Sequence, residues 1–279
     1  MARMPQFYSL NGTIMERSAC VLSPFDRSFM LGDGLFETVL VRGAAAVWLR
    51  EHYERMKASA AVFGIAFPFS CDGVAEWCAR IIEAEKVTDG FCRIALSRGT
   101  SRTGRFTDLP DDTRMIIIAG SAAPRAGMPA VTAAAAPWPV NEHDPVVRHK
   151  TASRIGGVYA KTRATESGVD ELLFCNTQGA VAEGIFSNVF WMKGQELFTP
   201  SPECGILPGI AREKVLNAAR KLGMKTNVGA YAIDAVRGAE EIFFTNSLML
   251  ISRCSKFCGE VKDSNCVMNA LERLIFSEL

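Results

Sequence analysis

The residues best suited to chemistry are a glutamate in an apolar segment and a lysine in a basic one. Glu183 lies in the segment 181–190 (VAEGIFSNVF), where an apolar strand runs into a turn of small residues. Burying an unpaired carboxylate is costly, so a partner for Glu183 is expected. Lys150 follows Arg148 and His149. Neighbouring cations and partial burial lower the pKa of a lysine, as a nucleophilic amine requires.

One cofactor matches both residues. The ring nitrogen of pyridoxal phosphate (PLP) would compensate the carboxylate of Glu183, and Lys150 would then hold PLP as a Schiff base. A solvated surface lysine is the alternative interpretation of Lys150.

A third segment, 205–212 (GILPGIAR), reads as a turn that runs into a helix. Gly209 allows a close turn, and the first helical amides, those of Ile210 and Ala211, would point outward without intrahelical partners. Such a helix start suits a phosphate. An ordinary capped loop is the alternative.

Further polar groups could bind a phosphate or a substrate carboxylate. Arg55 lies on a predicted helix, and the small polar residues 245–247 end an apolar strand. The loop 97–105 carries three arginines, and guanidinium groups bind carboxylates through two parallel hydrogen bonds. A solvated loop fits its composition equally well. The arginines concerned are Arg98, Arg102 and Arg105.

Hydrophobic periodicity predicts the elements that would position these residues. Asn11–Gly12 indicates a hairpin turn between two short strands, and Gly64 ends a helix that begins near Leu49. A second helix carries Val74, Trp77 and Ile81 on one face. Further strands are predicted at 35–41, 46–48, 91–97, 115–119, 130–136, 171–175, 188–192, 196–198 and 241–244, and further helices at 156–166, 210–222 and 266–276.

The chain is predicted to form two domains of mixed α+β and α/β type. A stretch rich in Pro, Gly, Ala and Ser, residues 121–130, is the predicted linker. It separates a smaller N-terminal domain, residues 1–120, from a larger C-terminal domain, residues 131–279, which would bind the cofactor. Strands and helices in both halves favour this reading.

Composition excludes several classes of partner. The 279 residues carry a formal net charge of +1, which gives no reason to expect nucleic acid or an anionic membrane. No apolar run approaches the ~20 residues of a membrane span. Nine scattered cysteines and three dispersed histidines predict neither a disulfide framework nor a metal site. The absence of a signal segment favours a cytoplasmic protein.

Taken in order, these motifs resemble the class IV aminotransferases, the PLP enzymes of fold type IV. That family includes branched-chain aminotransferases, D-amino acid aminotransferases and aminodeoxychorismate lyases. The resemblance covers nearly the whole chain and depends on the ordered set of motifs. The segments that carry it are 26–38 (DRSFMLGDGLFET), 52–56 (HYERM), 97–99 (SRG), 150–154 (KTASR), 183–190 (EGIFSNVF), 205–210 (GILPGI) and 241–248 (EIFFTNSL).

The resemblance implies a role for each matched residue. Lys150 would be the Schiff-base lysine and the acid/base of the reaction, and Glu183 would pair with the protonated pyridine nitrogen. The family is dimeric, with active sites near the subunit interface, so a homodimer is expected. The other cofactor-binding residues implied are Arg55, Asn188, Gly209, Ile210, Ala211, Asn246 and Ser247. The substrate-binding residues implied are Phe36, Thr38, Arg98, Arg105 and Arg154.

Within the family, three features resemble the lyases, and one of them is the arginine loop that ends at 102–105 (RTGR). Arg154 stands where lyases tend to have arginine and branched-chain enzymes an aromatic residue, and 245–249 (TNSLM) has a lyase-like form. An extra arginine suits a substrate with more than one carboxylate. We therefore expect a lyase that converts 4-amino-4-deoxychorismate to 4-aminobenzoate and pyruvate, a step of folate precursor synthesis.

Two alternatives stay open. The first is an aminotransferase acting on D-amino acids or branched-chain L-amino acids, because it shares the early steps of the reaction. Residues 151–153 and 251–253 also depart from the pattern common in the family. The second is a non-catalytic binding or scaffold protein with the same fold. That alternative would require loss of Lys150 or Glu183, and both are present.

Overall fold

The computed structural model describes residues 4–122, 130–262 and 266–277. Backbone contacts divide the chain into two units, Met1–Pro124 with His149–Arg154 and Arg125–Arg148 with Ile155–Leu279. The segment that carries Lys150 thus belongs to the first unit, whereas the sequence had placed it in the C-terminal domain. Most of the predicted linker, 121–130, lies outside the described residues.

The first unit is an antiparallel sheet with helices packed on it. Its strands, in spatial order, are β2-β1-β6-β5-β3-β4. In chain order the elements are β1 (Phe7–Leu10), β2 (Thr13–Glu16), α1 (Arg27–Leu31), β3 (Gly34–Arg42), β4 (Ala45–Ala46), α2 (Leu49–Val62), α3 (Cys71–Ala84), β5 (Gly90–Ser97) and β6 (Arg114–Ser121).

Alternation along β3 gives this sheet two different faces. Leu35, Val39 and Val41 are buried in a core that also contains residues of α2 and α3. Because strand residues point alternately to opposite faces, Phe36 and Thr38 lie on the other face. Strand β5 pairs with β3 over its full length. The unit therefore has one apolar, helix-covered face and one face on which polar side chains can gather.

The second unit contains a mixed sheet in the order β11-β10-β9-β12-β13-β7-β8, with β14 paired to β13. Its elements in chain order are β7 (Val131–Ala135), α4 (Ile155–Glu166), β8 (Glu171–Leu173), β9 (Asn188–Lys193), β10 (Glu196–Pro200), α5 (Ile210–Lys221), β11 (Lys225–Gly229), α6 (Ile233–Arg237), β12 (Glu241–Asn246), β13 (Leu250–Phe257), β14 (Glu260–Val261) and α7 (Cys266–Phe276).

Strands β9 and β12 form the buried centre of this sheet. They pair antiparallel, with Phe190 opposite Phe243 and Asn188 opposite Thr245. The rings of Phe190 and Phe243 stack with centroids 5.1 Å apart. Both strands are buried on both faces, which explains their continuous apolar sequence. Because the two strands are antiparallel, Asn188 at the start of β9 and Asn246 at the end of β12 lie at the same end of this strand pair.

Most predicted elements are confirmed, and the differences have physical causes. The hairpin turn at Asn11–Gly12 has positive φ angles of 47° and 86°, as a two-residue hairpin requires. The predicted strands at 46–48 and 171–175 are shorter, covering Ala45–Ala46 and Glu171–Leu173. Elements α1, α6, β11, β13 and β14 were not predicted, because they are short or have mixed polar sequence. No helix of the described residues has the length and apolarity needed to cross a membrane.

Candidate active site

Lys150 is held against β3 by backbone pairing. The amide of Phe36 donates to the carbonyl of Lys150 at 2.9 Å, and the amide of Ala152 donates to the carbonyl of Gly34 at 2.8 Å. The Nζ atom of Lys150 lies 4.6 Å from the centroid of the Phe36 ring. The lysine therefore stands over the face of the sheet that is not covered by helices.

Two arginines join Lys150 in this part of the first unit. Arg93 of β5 pairs with Thr38, so its side chain shares a face with Thr38 and Phe36, and its guanidinium lies 4.1 Å from the Phe36 ring centroid. Burial and the nearby charge of Arg154 lower the pKa of Arg93 from its ordinary value. Mutual repulsion of this kind is relieved when an anion binds. These cations are suited to an anionic substrate.

Arg55 occupies a different environment, on the helix-covered face. Its Nε and Nη2 atoms donate to the two carboxylate oxygens of Glu37 at 2.8 and 2.6 Å. Burial alone would raise the pKa of Glu37, but the charge of Arg55 and the hydrogen bonds from His52 and Arg55 outweigh it and lower that pKa to about 2. Glu37 is therefore a carboxylate at neutral pH, and it fixes the direction of the Arg55 guanidinium.

In the second unit, Glu183 is tied to the start of α5 by a short network. Its Oε2 atom accepts from the amide of Leu207 at 2.9 Å and from Asn188 Nδ2 at 3.4 Å. Asn188 Nδ2 also donates to the carbonyl of Leu207 at 2.8 Å. Glu183 and Asn188, both predicted site residues, are thus brought together with the loop that leads to Gly209.

The turn after Glu183, which is itself half-buried, is held by the buried carboxylate of Glu171. Glu171 accepts from the amide of Ile185 and from Ser187 Oγ, both at 2.8 Å. Burial raises the pKa of Glu171 in spite of these hydrogen bonds. A Cβ atom on Gly184 would lie 2.2 Å from Ser187 Oγ. The turn therefore needs glycine at this position. Its tight packing fixes the positions of Glu183 and Asn188, which lie on either side of the turn.

Helix α5 begins at Ile210 without a side-chain cap, because its N-cap residue is Gly209. The first amides of a helix have no intrahelical acceptor and carry partial positive charge. Ile210 and Ala211 are buried. A Cβ atom on Gly209 would lie 2.0 Å from Asn188 Oδ1. The absence of a side chain at Gly209 therefore keeps the helix start close to Asn188 and suits it to a phosphate.

Replacing Gly209 with Ala is expected to weaken PLP binding by about tenfold, because the new methyl group must displace the carboxamide of Asn188 from Glu183 and Leu207. The measurement is the dissociation constant of PLP, followed by absorbance. Gly223→Ala after the same helix is unsuitable as a control because Gly223 has a positive φ of 68°. Gly156→Ala is suitable, since a Cβ atom there meets nothing within 4 Å. Equal affinity in Gly209→Ala and Gly156→Ala would contradict the assignment.

The end of β12 supplies polar groups near the level of Asn188. Asn246 Oδ1 accepts from the amides of Leu248 and Met249 at 3.0 and 2.8 Å, so its carboxamide shapes the turn that contains Ser247. Thr245, opposite Asn188, has a buried Oγ1 atom without a hydrogen-bond partner within the described ranges. Buried hydroxyl groups are normally satisfied. The hydroxyl of Thr245 thus has capacity for a ligand.

The two predicted loop arginines lie in different surroundings. Arg98 is buried, and its Nε, Nη1 and Nη2 atoms donate to Asp33 Oδ2, Gly64 O and Phe63 O at 2.7, 2.7 and 2.8 Å. Burial would raise the pKa of Asp33, but hydrogen bonds from Arg98 and Arg27 outweigh it and lower that pKa. Arg105 is exposed. Arg98 thus ties β5 to the end of α2, and its Nε, Nη1 and Nη2 atoms each have an acceptor within the first unit.

Replacing Arg98 with Ala is expected to lower the free energy of unfolding by about 2–4 kcal/mol, because the carbonyl groups of Phe63 and Gly64 and the carboxylate of Asp33 lose the donor that a buried arginine supplies. The KM for substrate should change little. Chemical denaturation and steady-state kinetics check the two parts. Arg105→Ala, at an exposed position, serves as the control and should change stability by less than about 0.5 kcal/mol. A large rise in the KM of Arg98→Ala with unchanged stability would show that Arg98 binds the substrate.

Residues of the second unit fit PLP. Among the described residues, no group of three or more His, Cys, Asp or Glu side chains could hold a metal. Gly209 gives close approach to an uncapped helix start, Thr245 has an unsatisfied buried hydroxyl, and Glu183 is a carboxylate fixed by neighbouring amide groups. These are donors for a phosphate and an acceptor for a protonated ring nitrogen.

Sequence reasoning missed Glu37, Arg93, Thr245 as an individual ligand, and the amide of Leu207. A signal existed for the first two. Glu37 is a charged residue at a position where β3 points into the core, in line with Leu35 and Val39. Arg93 lies between the core residues Cys92 and Ile94 of β5. Alternation therefore places Glu37 on the apolar face and Arg93 on the opposite one.

Comparisons with known proteins agree with this geometry. The amino-transferase class IV family model matches residues 34–257. An aminodeoxychorismate lyase of Bacillus subtilis (strain 168) is 30% identical over 244 residues, which cover 87% of this chain and 83% of the lyase. A D-alanine aminotransferase of Bacillus licheniformis is 26% identical over 280 residues, 96% of each chain.

A solved structure has the same fold. A hypothetical aminotransferase from Mycobacterium tuberculosis, in its PLP-bound form, superposes with a TM-score of 0.86 at 21% identity and covers 98% of both chains. The family match spans both units, and the fold type IV expectation is confirmed. The chain therefore belongs to the class IV aminotransferase family, and PLP is its cofactor.

Proposed function

We propose that this protein is a PLP-dependent lyase that converts 4-amino-4-deoxychorismate to 4-aminobenzoate and pyruvate. The observation that carries the proposal is the cationic surface beside Lys150. Arg93 stacks on the Phe36 ring, and the charge of Arg154 acts on Arg93. The substrate carries two carboxylates, one on the ring and one on the enolpyruvyl group. An α-amino acid substrate with an apolar side chain has only one.

The relatives support the same choice. The lyase of Bacillus subtilis is 30% identical to this chain, whereas the D-alanine aminotransferase is 26% identical. Two guanidinium groups suit two carboxylates, since each can form a bidentate pair. We also propose a homodimer, as the family resemblance implies.

Each site residue has a distinct proposed role. Lys150 holds the cofactor covalently, and Glu183 keeps its ring nitrogen protonated. The proposed phosphate ligands are Arg55, Gly209 with the amides of Ile210 and Ala211, and two residues at the end of β12 and just after it, Asn246 and Ser247. Asn188 holds Glu183 in place, while Phe36 and Thr38 line the substrate side of the sheet with Arg93 and Arg154.

The reaction follows from these roles. When bound, PLP supplies an electron sink for the carbon that bears the substrate amine. The freed Nζ atom of Lys150 removes the proton from that carbon, acting as general base. Arg93 and Arg154 hold the two carboxylates so that the enolpyruvyl group can leave from the neighbouring carbon. Its departure makes the ring aromatic, and the enolpyruvate takes up a proton to become pyruvate.

An aminotransferase is the second candidate, supported by the D-alanine aminotransferase relative. It would use Lys150 and Glu183 in the same way for the first proton transfer. No group would leave from the neighbouring carbon; Lys150 would move the abstracted proton onward, and the product would be a keto acid. The two reactions differ in the leaving group, so the product identifies the reaction.

The test is product analysis with matched substrates. The purified holoenzyme is incubated with 4-amino-4-deoxychorismate, and separately with D-alanine or L-leucine plus 2-oxoglutarate. Equimolar 4-aminobenzoate and pyruvate from the first mixture, with no keto acid formed from the amino acids, would support the lyase. Rapid formation of a keto acid without 4-aminobenzoate would establish the aminotransferase instead.

Replacing Arg93 with Gln is expected to raise the KM for 4-amino-4-deoxychorismate by about 10- to 100-fold, because a charge-assisted hydrogen bond to a carboxylate is worth about 1.5–3 kcal/mol. Steady-state kinetics measure the change. Arg80→Gln is the control, since the Arg80 side chain is 47% exposed on α3. If Arg93→Gln and Arg80→Gln have the same KM, Arg93 does not contact the substrate.

A further inference from the structure

We propose that Glu37 and His52 are positioning residues for the cofactor's phosphate, acting through the guanidinium of Arg55. The inference rests on the phosphate-binding role proposed above for Arg55. Neither Glu37 nor His52 is placed in contact with the cofactor. Their task is to hold one planar group in one direction.

The contact between Glu37 and Arg55 fixes an orientation as well as a distance. Arg55 Nε donates to Glu37 Oε1 at 2.8 Å, and Arg55 Nη2 donates to Oε2 at 2.6 Å. Two parallel hydrogen bonds between planar groups prevent rotation of either one. The side chain of Glu37 is 1% exposed, and that of Arg55 is 15% exposed. The buried carboxylate is therefore the fixed partner, and the guanidinium is the part near the surface.

His52 contacts the same carboxylate, at the oxygen that also accepts from Arg55 Nη2. Its Nδ1 atom lies 2.7 Å from Glu37 Oε2, and its side chain is fully buried. Burial lowers the pKa of His52, as do the charges of Arg55 and Lys150, in spite of the opposing effect of Glu37. The imidazole is thus neutral at pH 7, and the short contact assigns the proton to Nδ1. His52 therefore anchors Glu37 without contributing a charge.

The position of Glu37 in β3 indicates that the Glu37–Arg55–His52 network is not explained by a gain in the stability of the fold. Leu35 and Val39 flank it on the same face and lie in the apolar core. Burying an ion pair at such a position commonly gives no gain in stability over apolar residues of similar size. The His52 Nε2 atom is also buried without a hydrogen-bond partner in the described part of the chain. The network is thus costly for the fold, and a positioning role accounts for it.

The central experiment removes the anchor without changing any charge. His52→Leu deletes the hydrogen bond to Glu37, whereas His52→Asn keeps a donor near the position of Nδ1. Full-length protein freed of cofactor is titrated with PLP and, separately, with pyridoxal, which lacks the phosphate. We expect His52→Leu to weaken PLP by about 5- to 10-fold and pyridoxal by less than about twofold. His52→Asn should restore PLP affinity.

Two controls make the result specific. His143→Leu tests a histidine whose side chain is 75% exposed, and it should leave both affinities unchanged. Melting temperature is measured for every variant, because Leu at a fully buried position can disturb packing. If His52→Leu does not fold, His52→Gln replaces it, since its amide lies where Nε2 lies and cannot reach Glu37. Equal weakening of PLP and pyridoxal would show a merely structural role and overturn the proposal.

Glu37→Gln and Arg55→Gln separate this inference from the assignment on which it rests. Glu37→Gln should weaken PLP by at least about tenfold, again with little effect on pyridoxal. A rise in PLP affinity would mean that the charge of Glu37 only repels phosphate, and would overturn the proposal. If Arg55→Gln leaves the ratio of PLP to pyridoxal affinity unchanged, the phosphate role of Arg55 fails. If Arg55→Gln lowers that ratio and the Glu37 and His52 variants do not, only the positioning inference fails.

Discussion

Replacing Lys150 with Ala is expected to abolish turnover and the visible absorbance band of the bound cofactor. General acid/base catalysis alone contributes about 10²- to 10⁴-fold, and this variant also loses covalent attachment of PLP. We therefore expect kcat to fall by at least about 10⁴-fold. The backbone of residues 150–152 pairs with β3 through amide and carbonyl groups, which the substitution leaves intact. Stability should change little.

The measurements are kcat with substrate, the absorbance spectrum, and retention of cofactor after reduction with borohydride. Lys193→Ala is the matched control, because Lys193 is an exposed lysine at the end of β9. Lys150→Arg keeps the positive charge but not the nucleophilic amine, so it should be as inactive as Lys150→Ala. A Lys150→Ala variant that still shows the visible band before reduction, and that keeps the cofactor covalently bound through gel filtration after borohydride has removed the band, would assign the Schiff base to another lysine.

The sequence could predict the order of the catalytic motifs but not which contacts each residue makes. Lys150 and Glu183 were recognisable because each lies in an unusual local context, a basic cluster and an apolar strand end. Gly209 was recognisable because glycine before an apolar helix has a direct conformational meaning. These signals are local, and local signals can be read from one chain.

Contacts between distant segments explain what the sequence could not predict. Arg98 and Arg93 are five residues apart, and composition gave no reason to prefer either as a substrate ligand. The structure separates them because Arg98 reaches the carbonyl groups of Phe63 and Gly64, whereas Arg93 reaches the Phe36 ring. Phe63 and Gly64 lie 35 and 34 residues from Arg98 along the chain, and Phe36 lies 57 residues from Arg93. Pairing of β3 with β5 sets Arg93 opposite Thr38 and so places it on the face that carries Phe36.

Strand β13 illustrates the same limit for the fold. Its sequence, LISRCSKF, mixes polar and apolar residues without a clean alternation. Pairing with β12 on one side and β7 on the other makes it a central strand. Tertiary contacts therefore override its weak local preference. The boundary of the first unit has a similar origin, since residues 149–154 join it through β3 rather than through their neighbours in sequence.

The second large effect is expected at Glu183. Replacing Glu183 with Gln should lower kcat by about 10²- to 10³-fold, comparable to the loss of one preorganised electrostatic group in other active sites. The carboxylate is proposed to keep the ring nitrogen protonated, and a neutral amide cannot do so. The Gln side chain can still accept from the amide of Leu207, which now donates to Oε2 at 2.9 Å. The substitution therefore removes the charge and preserves the local structure.

Two readouts distinguish loss of the charge from loss of the site. Because Lys150 is unchanged, the visible band should remain, and PLP affinity should fall less than kcat. The rate at which solvent deuterium exchanges into the amine-bearing carbon of the substrate should fall with kcat, since that proton transfer depends on the electron sink. Glu213→Gln is the matched control, as the Glu213 side chain is 56% exposed on α5. A Glu183→Gln variant with unchanged exchange and kcat would remove Glu183 from the proposed mechanism. Loss of the visible band would instead show that Glu183 is required for PLP binding. A fall in kcat would then follow from the missing cofactor and would say nothing about the proton transfer.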